Sequence, residues 1–240
     1  MADTIWTPLI EALESGIRPQ FWLRDDDAVE PTPALDRLVA TCEQADIPLV
    51  LAVIPRPTGE ALAARLANAK LVSVAVHGWA HQNHASSTEK KQEFGPHRPL
   101  DEMLNELRTG REKLEVLHGE RFIPMLVPPW NRIDPRLPPL LPSIGFEALS
   151  TFGPAAPGPI QIINSNVDLI DWHGTRGCVD HAVLVSQIVE RLAQREPVGI
   201  LGHHLVHDEA VWAFLEKLFA VTRTFNIEWL SGAGLVRGSA

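Results

Sequence analysis

The 240-residue chain carries 21 Lys+Arg against 30 Asp+Glu, a net charge of −9, with 45% hydrophobic residues and two cysteines. This length and composition exclude disorder as the main state and remove any need for disulfide staples. The acidic balance, with no Lys/Arg run longer than two, excludes a nucleic-acid footprint. Cys42 and Cys178 lie far apart and form no C-x-x-C pattern, which fits a reducing compartment. No apolar run reaches the roughly 18 residues that would suggest a membrane span. Met1–Ile10, with Asp3, lacks the basic and apolar regions of a secretory signal. The expectation is a cytoplasmic protein that engages neither nucleic acid nor membrane.

In chain order, the first apolar run is Phe21–Leu23, followed by an amphipathic helix over Pro33–Ala45 behind Thr32 as N-cap. Pro48–Ile54 is the second run, then an Ala/Leu-rich helix over Glu60–Ala69, then Leu71–Val76. A helix over Leu100–Leu117, stopped by Gly119, leads to the run Phe122–Val127. The Pro-rich stretch Pro128–Pro159 reads as rim loops plus one short helix, and holds the run Phe146–Leu149. Ile160–Ile163, a helix over Val179–Gln194, Val198–Leu201, a helix over Asp208–Thr222 and Ile227–Leu230 complete the series. Runs apolar on both faces suit buried parallel strands. Their alternation with helices predicts an α/β fold, and seven or eight units without a composition break predict a single barrel domain over 1–240.

In such barrels the loops after the strands build the active site. Chemistry-bearing residues cluster at those places. Asp25, Asp26 and Asp27 follow the first run; His77, His81 and His84 follow the third. Pro128-Pro129-Trp130-Asn131, Asp168 with Asp171-Trp172-His173, and His203-His204 with His207-Asp208 follow later ones. His77 and His81, four apart, face one way if they share a helical turn. With a carboxylate they could form a three-ligand metal site that keeps an open position. Three adjacent carboxylates repel, and a cation offsets that repulsion. One Asp would bind the metal and a neighbour would take a proton. The blander alternatives are a solvated acidic turn, a structural Pro-Pro rim turn, and Asp208 serving only as a helix cap. His84 is open between ligand and supporting roles.

The order acidic pair, HxxxH, Pro-Pro-aromatic, DxxDW, LxH, from about Phe21 to Asp208, resembles the polysaccharide deacetylase family, also called NodB-homology or carbohydrate esterase 4. The resemblance implies a distorted (β/α)7 barrel, a divalent metal, usually zinc, and hydrolysis of N- or O-acetyl groups on sugars. Some members cleave other amide C–N bonds. It implies Asp25 as catalytic base and Asp26 as metal ligand beside His77 and His81; a slip of one residue makes them Asp26 and Asp27. The third motif lacks the family's Arg, with Val127 in its place and Arg132 nearby as a substitute. Trp130 would offer its backbone N–H to the oxyanion. His203, or its neighbour His204, would protonate the leaving amine, with the Leu201-x-His203 spacing favouring His203. Asp171 or Asp168 would orient a catalytic group, and Trp79, Pro129, Trp172 and Leu201 are candidate pocket residues. The expected partner is a small-molecule or carbohydrate substrate, with a smaller intracellular amide or acetylated metabolite favoured over a secreted cell-wall or chitin polymer. A lapsed, non-catalytic carbohydrate-binding barrel is the alternative.

Overall fold

A computed structural model describes residues 4–195 and 197–238; Asp3, part of the N-terminal reading above, lies outside them. In chain order the elements are α1 (Thr7–Glu14), β1 (Gln20–Ala28), α2 (Pro33–Ala45), β2 (Leu49–Val53), α3 (Glu60–Leu66), β3 (Val72–His77), α4 (Leu100–His118) and β4 (Phe122–Val127). Then follow β5 (Ala148–Leu149), β6 (Gln161–Ile162), β7 (Val167–Asp168), α5 (His181–Gln194), β8 (Val198–Gly202), α6 (Glu209–Thr224), β9 (Glu228–Trp229) and α7 (Gly232–Arg237). The strands run β6-β5-β4-β3-β2-β1-β8-β7, with β9 beside β1. Every pairing is parallel. β6 and β7 end the series, so the sheet curls into a half-barrel with an open seam, the distorted (β/α)7 architecture. No helix among the described residues is long and apolar enough to cross a membrane.

The local signals act as their chemistry demands. Thr32 accepts the Leu35 N–H at 3.1 Å and Pro33 opens α2, a cap worth about 1 kcal/mol. Leu35, Leu38, Val39 and Cys42 fall on one buried face of that helix. Asp180 and Asp208 cap α5 and α6. β7 is too short for a periodic signal, and α1 and α7 were not foreseen in the sequence.

The sheet separates two apolar layers. Trp22, Val50, Ala52, Ala75, Met125, Val127 and Ala148 fill the inner face, closed at the strands' N-terminal end by Leu235 and Val236 of α7. Leu23, Leu49, Leu51, Val53, Val74 and Val76 point outward into the helices. This period-two alternation decides which charged residues reach the mouth.

Candidate active site

Along β1, Trp22 is inner and Leu23 outer, so Arg24 and Asp26 fall on the inner face and Asp25 on the outer. Strict alternation would send Asp27 outward as well. Instead the register with β2 shifts between Asp25 and Ala28, and Asp27 takes φ 72°. A bulge re-aims a side chain and breaks the alternation, which turns Asp27 to the mouth.

There Asp27 Oδ1 meets His77 Nε2 at 3.1 Å and His81 Nε2 at 3.2 Å. The three donor atoms lie within 4.8 Å of one another. His77 closes β3, and its Nδ1 bonds the Val127 carbonyl at 2.9 Å. A carbonyl can only accept, so the proton sits on Nδ1 and the Nε2 lone pair is left for a ligand. Burial pushes the Asp27 carboxyl up, but while no metal holds Nε2 and the imidazoles are protonated, the bond from His77 and the charges of His77 and His81 outweigh it and hold it well below its usual range. Two imidazole nitrogens and one carboxylate oxygen brought this close together fit a divalent first-row metal with open positions.

The helical turn expected for His77 and His81 is absent. Residues 78–84 form a loop in which Gly78 has φ 62° and His81 φ 54°. Buried Glu93 holds this loop: its carboxylate accepts the N–H groups of Trp79 at 3.0 Å, Ala80 at 2.7 Å and Gln82 at 3.4 Å. The fit leaves no room, since a Cβ on Gly78 would lie 2.2 Å from Glu93 Oε2 and 2.6 Å from Pro129 Cδ. Trp130, at φ 56°, packs its ring against His81 in a tilted arrangement, with centroids 4.4 Å apart. Pro129 is therefore a buttress beneath Gly78, and Trp130 a wall of the mouth.

Asp26 is held differently. Arg24 is fully buried; its Nη2 donates to Asp26 Oδ2 at 3.1 Å, and its Nε approaches Oδ1 at 2.9 Å as an ion pair without hydrogen-bond alignment. The rest of the guanidinium donates to Ser150 Oγ at 2.7 Å, Thr151 O at 3.2 Å and Asn131 Oδ1 at 2.8 Å. A two-point guanidinium contact fixes the orientation of a carboxylate. Arg24 thus gives Asp26 a buried cationic partner from its own strand, which Val127 cannot supply. Arg132 does not, because it donates to the Lys91 carbonyl at 2.8 Å. Arg24 was legible in principle, as a charge inside an apolar strand two residues from Asp26.

Across the mouth, β8 alternates in the same way: Gly199 backs Trp22, Leu201 pairs with Arg24 and is buried on the inner face, and His203 follows two residues on. Trp172 meets the His203 ring edge-on at 4.7 Å. Asp168 accepts Trp172 Nε1 and the Ile170 N–H, each at 3.0 Å. Burial raises the Asp168 carboxyl, opposed by the Ile170 N–H and the charge of nearby His203. His203 Nδ1 is buried with no hydrogen-bond partner among the described residues.

Several expected placements are corrected. Asp25 does not reach the mouth: it points outward and binds the His204 backbone N–H and Nδ1. His204 is accordingly buried behind the strand. The carboxylate grouped with His77 and His81 is Asp27; Asp26 is tied to Arg24. Asp171 is spent on its own turn, accepting the N–H groups of Gly174 and Thr175 at 3.0 Å; Asp168 is the carboxylate near His203. Trp79 leaves the pocket and packs toward Gly110 of α4. His84 lies outside the triad, its N–H bonded to Gln92 O. Glu93 had no sequence signal, being one of two acids, with Glu89, in a long polar loop.

Neither a protein-family model nor a curated protein matches the sequence. Solved structures do. A peptidoglycan N-acetylglucosamine deacetylase shares 16% identity, with 92% of this chain and 89% of that one covered and a TM-score of 0.61. A family 4 acetyl xylan esterase from Clostridium thermocellum, solved with a cobalt ion, shares 13% identity over 91% and 90% of the two chains, with a TM-score of 0.57. A carbohydrate esterase family 4 pseudoenzyme from Bacillus anthracis shares 14% identity, covers 91% of this chain and 66% of its own, and has a TM-score of 0.63. The chain has the fold of the polysaccharide deacetylases.

Proposed function

We propose that the protein is a metal-dependent hydrolase that removes an acetyl group from a sugar-like or other small amide substrate. The observation that carries this is the convergence of Asp27, His77 and His81 beside the Arg24-held Asp26, at the mouth of a deacetylase fold. A divalent metal, zinc in our reading, held by Asp27, His77 and His81 would polarise the acyl carbonyl and acidify the attacking water. Asp26, oriented by Arg24, takes the water's proton. The Trp130 backbone N–H donates to the developing oxyanion. His203, with Asp168 near it, gives a proton to the leaving nitrogen. Trp130 and Trp172 flank the substrate. Cys42 and Cys178 are both unpaired, which supports a cytoplasmic setting. The Arg24–Asp26 pair gives Asp26 a cationic partner although the third-motif Arg is absent, which favours this reading over a non-catalytic barrel.

The test is acetate release from acetylated sugars and small amides by the protein before and after chelation and after zinc is restored. Release that follows the metal is expected. No release from the metal-loaded protein, or release unaffected by chelation, overturns the reading.

A further inference from the structure

Behind β1 and β8 lies a buried group of ionisable side chains that this reaction does not use. Asp25 Oδ2 accepts the backbone N–H of His204 at 2.9 Å, and Oδ1 bonds His204 Nδ1. His207 Nε2 accepts the backbone N–H of His203 at 3.1 Å and stands 3.8 Å from Asp25 Oδ2. Trp212 of α6 packs against the His207 ring at 4.6 Å. Burial pushes His207 down to about 4, so its ring stays neutral and Nε2 stays an acceptor. The group closes tightly over Gly202, where a Cβ would lie 2.8 Å from Asp25 Oδ2 and 3.1 Å from His207 Nε2.

The consequence falls on His203. β8 ends at Gly202, and the next residues form a short 3-10 turn, His204–Val206, whose Leu205 and Val206 are exposed. No ladder bond and no apolar anchor at Leu205 or Val206 fixes the backbone at His203. Its carbonyl accepts the Val206 N–H at 2.9 Å within the exposed turn; what ties it to the core is a pair of successive amides, its own N–H and that of His204, each bonded into the buried group. Two anchored amides set φ and ψ between them, and these direct the side chain.

We propose that Asp25 and His207 are positioning residues that, with His204, pin the backbone on both sides of His203 and hold its imidazole at the mouth as the proton donor to the leaving group. The inference rests on the reading of His203 under the proposed function. Misplacing a catalytic group by about 1 Å can cost about 100-fold in rate.

The experiment compares one acyl group on two leaving groups: an N-acetyl amide, whose nitrogen must be protonated to depart, and a nitrophenyl acetate, whose phenolate departs without a proton. In Asp25→Ala and His207→Leu, which each remove the acceptor for one of the two amides, the ratio of amide to ester kcat should fall about tenfold or more, with amide KM and metal content at wild-type values. His207→Gln, whose Oε1 can accept the His203 N–H, should recover most of the ratio. If one of these variants does not fold, the other carries the same comparison, and Asp25→Asn, whose Oδ1 can still accept the His204 N–H, should stay near wild type. Parallel losses on both substrates, or a His207→Gln variant no better than His207→Leu, overturn the inference. His203→Ala separates the two levels. If it loses both substrates equally, the acid reading falls and takes the inference with it. If it loses the amide alone while Asp25→Ala and His207→Leu do not, the inference falls and the acid reading stands.

Discussion

On the β1–β3 side of the mouth, Asp27 and His81 are aimed by backbone in the left-handed region, at φ 72° and 54°, and Trp130 and Asn131 beside them share that conformation at 56°. On the β7–β8 side, His203 has an ordinary extended φ of −144° and is aimed by hydrogen bonds from behind its strand. The first wall stores strain, about 1–3 kcal/mol for each such residue, and needs neighbours that lock it: Glu93 under the 79–82 amides and Pro129 under Gly78. His203 on the second stores no such strain and needs buried polar partners instead. The comparison teaches that a cation site, where donors must converge within a few ångströms, is built from tight irregular backbone. A proton donor on a strand end needs only its direction fixed.

The largest expected effect is on the first wall. Asp26→Asn should keep metal and lower kcat by ~10²–10⁴, since an amide cannot take the proton. Asp27→Asn should lose the metal itself. Elemental analysis beside turnover reads both, and the reverse pattern would exchange the two carboxylates' roles. Next comes Gly78→Ala, which adds a Cβ 2.2 Å from Glu93 Oε2 at φ 62°. It should destabilise the fold by about 1–3 kcal/mol in denaturant titration and weaken metal binding. An unchanged midpoint would mean the strained loop is not locked as described.

Glu93→Gln sharpens the contrast. It should weaken metal affinity about 10–100-fold by loosening the loop that carries His81, while leaving the amide-to-ester ratio alone. A shifted ratio would show the two walls to be coupled. The smallest effect is a control remote from both. Burial and the nearby Arg121 push His118 down from 6.5 to about 4. Between those values the unfolded chain binds a proton that the folded chain does not, so stability falls as pH drops from 6.5 toward 4. His118→Gln should flatten that part of the stability curve and leave turnover unchanged.

Much of the scaffold was legible in the sequence. The apolar runs of β1 to β4 and β8 lie where parallel strands form, and Thr32 and Asp208 cap the helices they precede. His77 was legible as a strand-end donor, because its strand is a strong apolar run. The HxxxH spacing, read as a helical turn, fits a loop equally well when a glycine of positive φ follows the strand. The assignments of Asp25 and Asp171 failed for another reason: their partners are the His204 backbone and a turn of residues 174 and 175. No spacing rule encodes those contacts.

By itself the sequence determined the alternation of strand and helix, and with it the end of the barrel at which carboxylates and imidazoles gather. These follow from hydrophobic periodicity and capping, which act over a few residues. The tertiary structure alone decided which of three adjacent aspartates faces what. That choice turns on one shift of register between β1 and β2, and on a partner for each carboxylate: Asp25 with His204, Asp26 with Arg24 and its ring of acceptors, Asp27 with His77 and His81. A side chain alternates by default, and only a break in the ladder, set by a neighbouring strand distant in the chain, can turn the next residue to the same site.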